Sequence, residues 1–182
     1  MKLVILDRDG VINEDSDAYV KSVDEWIPLP GSADAIAKLT QSGYTVAVAT
    51  NQSGLARGYF SQHDLDAMHE KMLALIKEKG GKIAHIAWCP HGPDDNCNCR
   101  KPLPGMINEI RDTLSVPDDT ICWMIGDSLR DLQAGAVANC RTILVKTGKG
   151  MRTLEDTSNA LPVGSHICMD LADAVKLILA TD

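Results

Sequence analysis

Short apolar runs take turns with segments of helical periodicity along this chain, and that alternation limits its possible folds more than any other feature. The runs lie at Lys2–Leu6, Thr45–Ala49, Ile83–Trp88, Ile121–Ile125 and Thr142–Val145. Strands interleaved with helices signal βαβ units, and therefore an α/β fold on a mainly parallel sheet. Ser32 is placed to cap a helix whose Ala33, Ile36, Ala37 and Leu39 face the core, with Gly43 as its stop. Ser61 followed by Asp64 makes a capping-box-like start for Leu65, Met68, Met72, Leu75 and Ile76, and Gly80-Gly81 ends that helix. Met68 and Met72 read as core filling. Further helices are expected at Met106–Leu114, Leu129–Ala138 and Leu171–Ala180. With 182 residues the chain is sized for one domain over residues 1–182.

The first run ends in Asp7-Arg8-Asp9-Gly10. Two carboxylates one residue apart, at the carboxyl end of a strand, repel each other and raise one another's pKa. A hard, oxygen-binding cation such as Mg²⁺ would relieve that; an acidic turn after a strand is the plainer alternative. Three more segments fall at or after strand ends: Thr50-Asn51-Gln52-Ser53-Gly54, Arg100-Lys101-Pro102, and Gly126-Asp127-Ser128 with Asp131 one turn later. In a parallel sheet such ends converge on one edge, so acids, a hydroxyl, an amide and two cations would face one pocket.

That set suits phosphoryl transfer through an aspartyl phosphate. Asp7 would attack phosphorus, Asp9 would protonate the leaving alkoxide and later activate water, and Mg²⁺ held by Asp7 and Asp127 would screen the charges. Thr50 and Lys101 would stabilise equatorial oxygens. Ser53-Gly54 could present backbone N–H groups to a phosphate, or simply start a turn. Arg100, then Arg57, then Arg8 are the candidates for a second anionic group on the substrate. Arg8, between two acids, is also placed simply to balance them.

The order Asp-x-Asp-Gly, Thr-Asn, Lys-Pro, Gly-Asp-x-x-x-Asp over residues 7 to 131 resembles the haloacid dehalogenase superfamily of phosphatases. The resemblance implies a three-layer Rossmann-like parallel sheet with helices on both faces. It further implies Asp7 as nucleophile, Asp9 as acid/base and backbone metal ligand, Thr50 and Lys101 as phosphate stabilisers, and Asp127 as a Mg²⁺ ligand. Asp131 resembles the further acid of the last motif, or serves to orient its helix. No inserted cap domain is visible, so the loops Glu14–Pro30 and Trp88–Pro104 are left to shield the site. The tail Gly148–Gly164, with Lys149 and Arg152, reads as a plain loop in preference to a phosphate-binding surface.

Cys89-Pro90-His91 and Cys97-Asn98-Cys99 give a Cys-x-His-x₅-Cys-x-Cys spacing. Three thiolates and an imidazole form a closed tetrahedral set suited to structural Zn²⁺; a Cys97–Cys99 disulfide is the competing reading. Cys99 directly precedes Arg100 and Lys101, so a metal there would fix where both cations point. Cys122, Cys140 and Cys168 read as small core residues.

Small superfamily members with such a loop resemble two groups, heptose bisphosphate 7-phosphatases serving lipopolysaccharide-type heptose synthesis and histidinol-phosphate phosphatases. The stretches Thr50–Gly58 and Cys99–Met106 resemble the heptose group, which implies Asp15–Tyr19 near the sugar and Asn51, Gln52, Ser53, Arg57 and Arg100 as substrate contacts. One departure is Ser128, where many of that group carry Lys. A catalytically silent zinc-stabilised module is disfavoured because Asp7, Asp9, Thr50, Lys101 and Asp127 are all present. Net charge of −7 and a pI near 5.1 argue against nucleic acid, including a nucleic-acid 3′-phosphatase role, and against anionic membranes. No run has signal-peptide or transmembrane character, and unpaired cysteines fit a reducing interior. A cytoplasmic monomer acting on a small phosphorylated sugar is expected.

Overall fold

The computed structural model describes residues 1–156 and 160–182. Among these residues, β1 (Lys2–Leu6), β2 (Thr45–Asn51), β3 (His85–Cys89), β4 (Ile121–Gly126), β5 (Arg141–Val145) and β6 (His166–Cys168) form one sheet in the order β3-β2-β1-β4-β5-β6. Every pairing is parallel. The helices are α1 (Ser32–Gln41), α2 (Gln62–Glu78), α3 (Gly105–Thr113), α4 (Leu129–Val137), α5 (Gly150–Glu155) and α6 (Leu171–Thr181).

Strand alternation sends Val4 and Leu6 to one face and Leu3 and Ile5 to the other, and all four are fully buried. Ile36 of α1, Leu65 and Met72 of α2, and Val175 and Ile178 of α6 cover the first face. Met106, Ile107 and Ile110 of α3 and Ala134 of α4 cover the second. Three layers result, with the doubly wound order of a Rossmann-like sheet. The chain winds outward from β1 to β3, then crosses back to place β4 beside β1. At this reversal the connections leave in opposite directions and open a crevice at the carboxyl ends of β1 and β4. Asp7 and Asp127 stand at those two ends.

Local chemistry sets the element bounds. The side chain of Ser61 caps α2, and Asp64 returns the bond to the Ser61 N–H, at 2.8 Å. At the end of α1, Gly43 takes φ +83°, the Gly43 N–H reaches the Thr40 carbonyl, and the Tyr44 N–H reaches that of Leu39. That is the Schellman pattern, which requires the left-handed conformation glycine tolerates. Ser32 is not the cap expected of it: Gly31 holds that position, and the Ser32 hydroxyl donates to the Ile12 carbonyl at 2.7 Å. This bond ties α1 to the loop after β1.

Two elements differ from expectation. The tail read as plain loop contains α5, and β6 follows it at the sheet edge; residues 157–159 of that tail lie outside the described residues. Both elements are short. His166 and Ile167 of β6 are exposed, so no apolar run marked the strand.

The loop Glu14–Pro30 is packed down rather than free. Val20 and Trp26 are buried, and Lys71 of α2 donates to the carbonyls of Val23 and Trp26 at 2.7 Å each. Its ammonium also lies 5.7 Å from the Trp26 ring centroid. The loop therefore holds Asp15 and Tyr19 over the crevice. No described helix is long and apolar enough to cross a membrane.

Candidate active site

Beyond β1 the chain must turn hard against β4. Gly10 takes φ +86°, and a Cβ there would fall on the Asp127 carboxylate, so only glycine permits this approach. The Asp7 N–H continues the β1–β4 ladder by donating to the Ile125 carbonyl at 2.9 Å. The two acids are thereby held side by side, and one carboxylate oxygen from each of Asp7, Asp127 and Asp131 fits within 4.8 Å of the others.

One buried ammonium serves this cluster. Lys101 Nζ lies 2.9 Å from Asp7 Oδ1 and 2.7 Å from Asp131 Oδ1, and donates to the Ala49 carbonyl at 2.7 Å. Its three donors are thus all engaged. Burial opposes the charge, but Asp131 and Asp7 outweigh it and hold Lys101 above the ordinary lysine range. The other Asp131 oxygen accepts from the N–H and hydroxyl of Ser128 at 3.1 and 2.9 Å. Asp131 accordingly orients both α4 and Lys101, while Asp7 and Asp127 remain to hold a cation.

Those two carboxylates are short of positive charge. Only Asp7 has a cation beside it, Lys101, which it shares with Asp131; burial, then Asp131, pushes Asp7 up to about 7 against that pull. Burial, then Asp7 and Asp131, pushes Asp127 up to about 8, although the Lys149 N–H donates to it at 2.8 Å. A hard divalent cation fits this donor set.

Asp9 is held differently. The guanidinium of Arg8, itself wholly buried, donates to both Asp9 oxygens, from Nε at 3.0 Å and Nη2 at 3.2 Å. Asn13 and Gln52 add bonds of 2.8 and 3.1 Å. Burial works to raise Asp9, yet Arg8 and these amides together bring it below the ordinary carboxylate range. Arg8 Nη1 meets His69 Nε2 at 3.3 Å. Burial and that cation push His69 down to about 4, so it is neutral and accepts the bond. Arg8 therefore balances and aims Asp9, and it does not line the pocket.

The pocket has a volume of about 260 Å³ and is lined by Asp7, Asp9, Thr50, Lys101, Asp127 and most of the expected substrate contacts. Asn51 and Gln52 also line it, but their polar groups face protein. The Asn51 amide clamps the Lys101 backbone, accepting its N–H at 3.1 Å and donating to its carbonyl at 3.2 Å. Gln52 Nε2 donates to both Asp9 and Thr50. The Thr50 hydroxyl accepts that bond and keeps its own proton for a ligand. Asp15 pairs with Lys149 at 2.7 Å, and the Tyr19 ring lies 5.1 Å from that of Tyr59. Ser53, Arg100 and Arg130 complete the wall. Arg57 is not brought there. The turn Ser53–Gly58 carries it onto the exposed surface.

Lys149 lines the pocket, although the tail that carries it reads in sequence as a plain loop in preference to a phosphate-binding surface. The Ser128–Asp131 contact was legible as another Ser-x-x-Asp start. In the loop after β3, Cys89, His91, Cys97 and Cys99 offer ligand atoms within 4.8 Å of one another. Burial raises the Cys89 and Cys99 thiols. Soft tetrahedral donors of this kind fit zinc.

The raised carboxylates make a pH prediction. A group whose folded pKa exceeds its unfolded value stabilises fully below the unfolded value, near 4, and loses that contribution as pH rises through 7 to 8. Metal-free protein should show a thermal midpoint that falls between pH 5 and pH 8.5, and Asp127→Asn should flatten that slope.

A sequence profile described as polynucleotide kinase 3 phosphatase matches residues 2–135, and an HAD-hydrolase-like profile matches residues 98–174. The D-glycero-beta-D-manno-heptose-1,7-bisphosphate 7-phosphatase of Pseudomonas putida is 54% identical over 179 residues, covering 98% of this chain and 100% of that protein. The crystal structure of the Bordetella bronchiseptica D,D-heptose 1,7-bisphosphate phosphatase, complexed with magnesium and phosphate, superposes with a TM-score of 0.94. That pair is 54% identical, and 100% of each chain is covered. The corresponding Burkholderia thailandensis structure gives 0.75 at 42% identity, again with 100% of both chains covered. Likeness of this degree along the whole length places the chain: it belongs to the haloacid-dehalogenase-like phosphatases, in the family of the D-glycero-beta-D-manno-heptose-1,7-bisphosphate 7-phosphatases, and is a phosphoric monoester hydrolase.

Proposed function

We propose that this enzyme removes the 7-phosphate of D-glycero-beta-D-manno-heptose 1,7-bisphosphate through a phosphoaspartate on Asp7. The observation that carries this reading is the joining of two charge environments. The Asp7–Asp127 pair lies in a pocket that Arg100 and Arg130 also line, and both arginines line an adjoining cavity of about 320 Å³. One end suits a cation and the phosphate under attack; the other suits a second phosphate. Burial and then the neighbouring Arg130 lower Arg100, so an anion bound between the two cations would be favoured. Arg130 supplies the charge that Ser128 does not.

Asp7 Oδ1 is engaged by Lys101, which leaves Oδ2 to attack phosphorus in line. The P–O bond to the sugar breaks as the new one forms. Asp9 delivers a proton to the departing alkoxide, then takes one from the water that hydrolyses the acyl phosphate. An incoming phosphate places negative charge beside Asp9 and opposes Arg8, which favours the protonated form the first step needs. The Thr50 hydroxyl donates to an equatorial oxygen. Lys101 contributes its charge rather than a hydrogen bond, because its donors are already committed. Magnesium, held by Asp7, Asp127 and the Asp9 carbonyl, would supply screening between the nucleophile and the phosphate; the Bordetella structure contains that ion with phosphate.

Zinc in the Cys89–His91–Cys97–Cys99 cluster would be structural, since four protein ligands leave no open position. Cys89 is the last residue of β3, so such a site would tie the loop to the sheet just before Arg100 and Lys101. The product retains its anomeric phosphate, the group that nucleotidyl transfer requires. The reaction accordingly belongs in the supply of nucleotide-activated heptose for lipopolysaccharide core. A role on polynucleotide 3′ ends is weaker, because a net charge of −7 provides no basic track for a nucleic-acid backbone.

Asp7→Asn should lower phosphate release from the bisphosphate by roughly a thousandfold or more, and a parental rate would end the mechanism. Arg130→Ala should raise KM for the bisphosphate about tenfold while leaving hydrolysis of a sugar monophosphate little changed. Cys99→Ala should remove zinc, measured by plasma emission, together with most turnover; full activity in zinc-free protein would show that the cluster does not position Lys101.

A further inference from the structure

Two cysteines outside the zinc-type cluster meet in the interior. Cys122 lies on β4, and Cys140 immediately precedes β5. The register pairs Trp123 with Arg141, so Cys122 and Cys140, each one residue earlier, continue that pairing on neighbouring parallel strands. Strands in a sheet run about 4.8 Å apart, inside the Cα separation of about 4.4–6.8 Å that a disulfide needs. Both side chains turn to the face shared with Leu3, Ile5 and Ala134, and their Sγ atoms lie 2.7 Å apart.

A cation lies beside them. Arg111 of α3 donates from Nη2 to the Ala138 carbonyl at 3.1 Å, while its buried Nε has no hydrogen-bond partner. Negative charge on Cys122 or Cys140 would favour the Arg111 cation, whose pKa is held up against the effect of burial. The hydrogen bond from Cys122, and then Arg111, lower Cys140 against the effect of burial. The same bond, together with burial, raises Cys122. Cys140 follows the exposed Asn139 and is the more accessible of the two, at 8% exposure against 2%. Neither sulfur belongs to the phosphatase site, since Cys122 sits near the opposite end of β4 from Asp127, about 16 Å along the strand.

We infer that Cys122 and Cys140 form an oxidisable dithiol at which a hydroperoxide installs an intramolecular disulfide. The Cys140 thiolate attacks the terminal peroxide oxygen; the S–O bond forms, the O–O bond breaks, and the leaving oxygen departs as water or an alcohol after taking a proton. Cys140 is then a sulfenic acid. Cys122 Sγ attacks that sulfur, the S–S bond forms, and the hydroxyl leaves with the Cys122 proton as water. Two thiols lose two electrons in total, and one hydroperoxide gains them. The bond closes the segment that carries Asp127, Ser128, Arg130 and Asp131, which restricts the unfolded chain while touching no substrate group.

The test treats the full-length, zinc-loaded protein with hydrogen peroxide, blocks remaining thiols, and maps the proteolytic peptides by mass spectrometry without reductant. The expected product is a cross-linked Cys122–Cys140 peptide pair two hydrogens lighter and reversible with dithiothreitol. Its protein should have a higher thermal midpoint and phosphate release within about twofold of the untreated enzyme. Cys122→Ser should let Cys140 advance to the sulfinic acid, and Cys140→Ser should leave Cys122 a free thiol. Recovery of both cysteines as blocked thiols after Cys168 has been oxidised would overturn the inference. So would Cys140 sulfinic acid in the unaltered sequence, or Cys122 joined to a zinc-loop cysteine.

Discussion

A single buried ammonium organises this molecule. Lys101 bridges the end of β1 through Asp7, the first turn of α4 through Asp131, and the end of β2 through the Ala49 carbonyl. Three elements from distant parts of the chain are fixed by one side chain. Its charge does not balance the acids it meets. Asp7, Asp127 and Asp131 bring up to three negative charges to one positive, and burial magnifies the difference. The fold therefore creates a demand for a divalent cation at the point where strand order reverses. In the proposed mechanism that demand matters, because an unscreened carboxylate could not approach a dianionic phosphate.

The positioning of Lys101 leads outward to the rest of the site. Its backbone is clamped by Asn51, whose strand neighbour is Cys89. Cys89 anchors the soft-donor cluster that ends two residues before Lys101. Hard and soft donor sets are thus separated by chemistry yet adjacent along the chain, and zinc in the soft set, as proposed, would fix the loop that carries the ammonium to the carboxylates. A second chain of contacts does the same for Asp9. Neutral His69 receives one arm of Arg8, and the remaining donors of Arg8 grip the carboxylate from behind. The reacting face of each acid is left clear because its other contacts come from within the protein.

Much of this was legible in the sequence, and the boundary of legibility has a physical cause. Asp7, Thr50 and Asp127 announce themselves because each follows a short apolar run, Asp9 because it lies one residue beyond Asp7, and Lys101 through the Lys-Pro motif after the third strand's loop; parallel topology brings these segments together. The cysteine and histidine spacing is equally local. The resemblance implied Asn51 and Gln52 as substrate contacts, and both line the pocket. Their actual partners, the Lys101 backbone and the Asp9 carboxylate, depend on how neighbouring strands are spaced, which residue order alone does not give. Arg57 shows the reverse error: a cation near a motif in sequence is carried away by one tight turn. Ser32 was misassigned and α5 and β6 were missed because their roles come from tertiary packing, with no periodic pattern of their own.

The acidic balance of the chain sharpens its choice of ligand. At −7 overall, long-range attraction for anions is absent, so affinity must come from cations held at fixed points. Lys101 is neutralised by its acids, and Lys149 by Asp15. Arg152 faces Asp17. Arg100 gives one donor to the His91 carbonyl and otherwise meets Arg130, and like charges held together gain most from an anion placed between them. A monophosphate satisfies the carboxylate end alone and leaves the two guanidiniums in repulsion. A bisphosphate would relieve both charge imbalances in one binding event, and this is how the proposed substrate fits the electrostatics of the pocket.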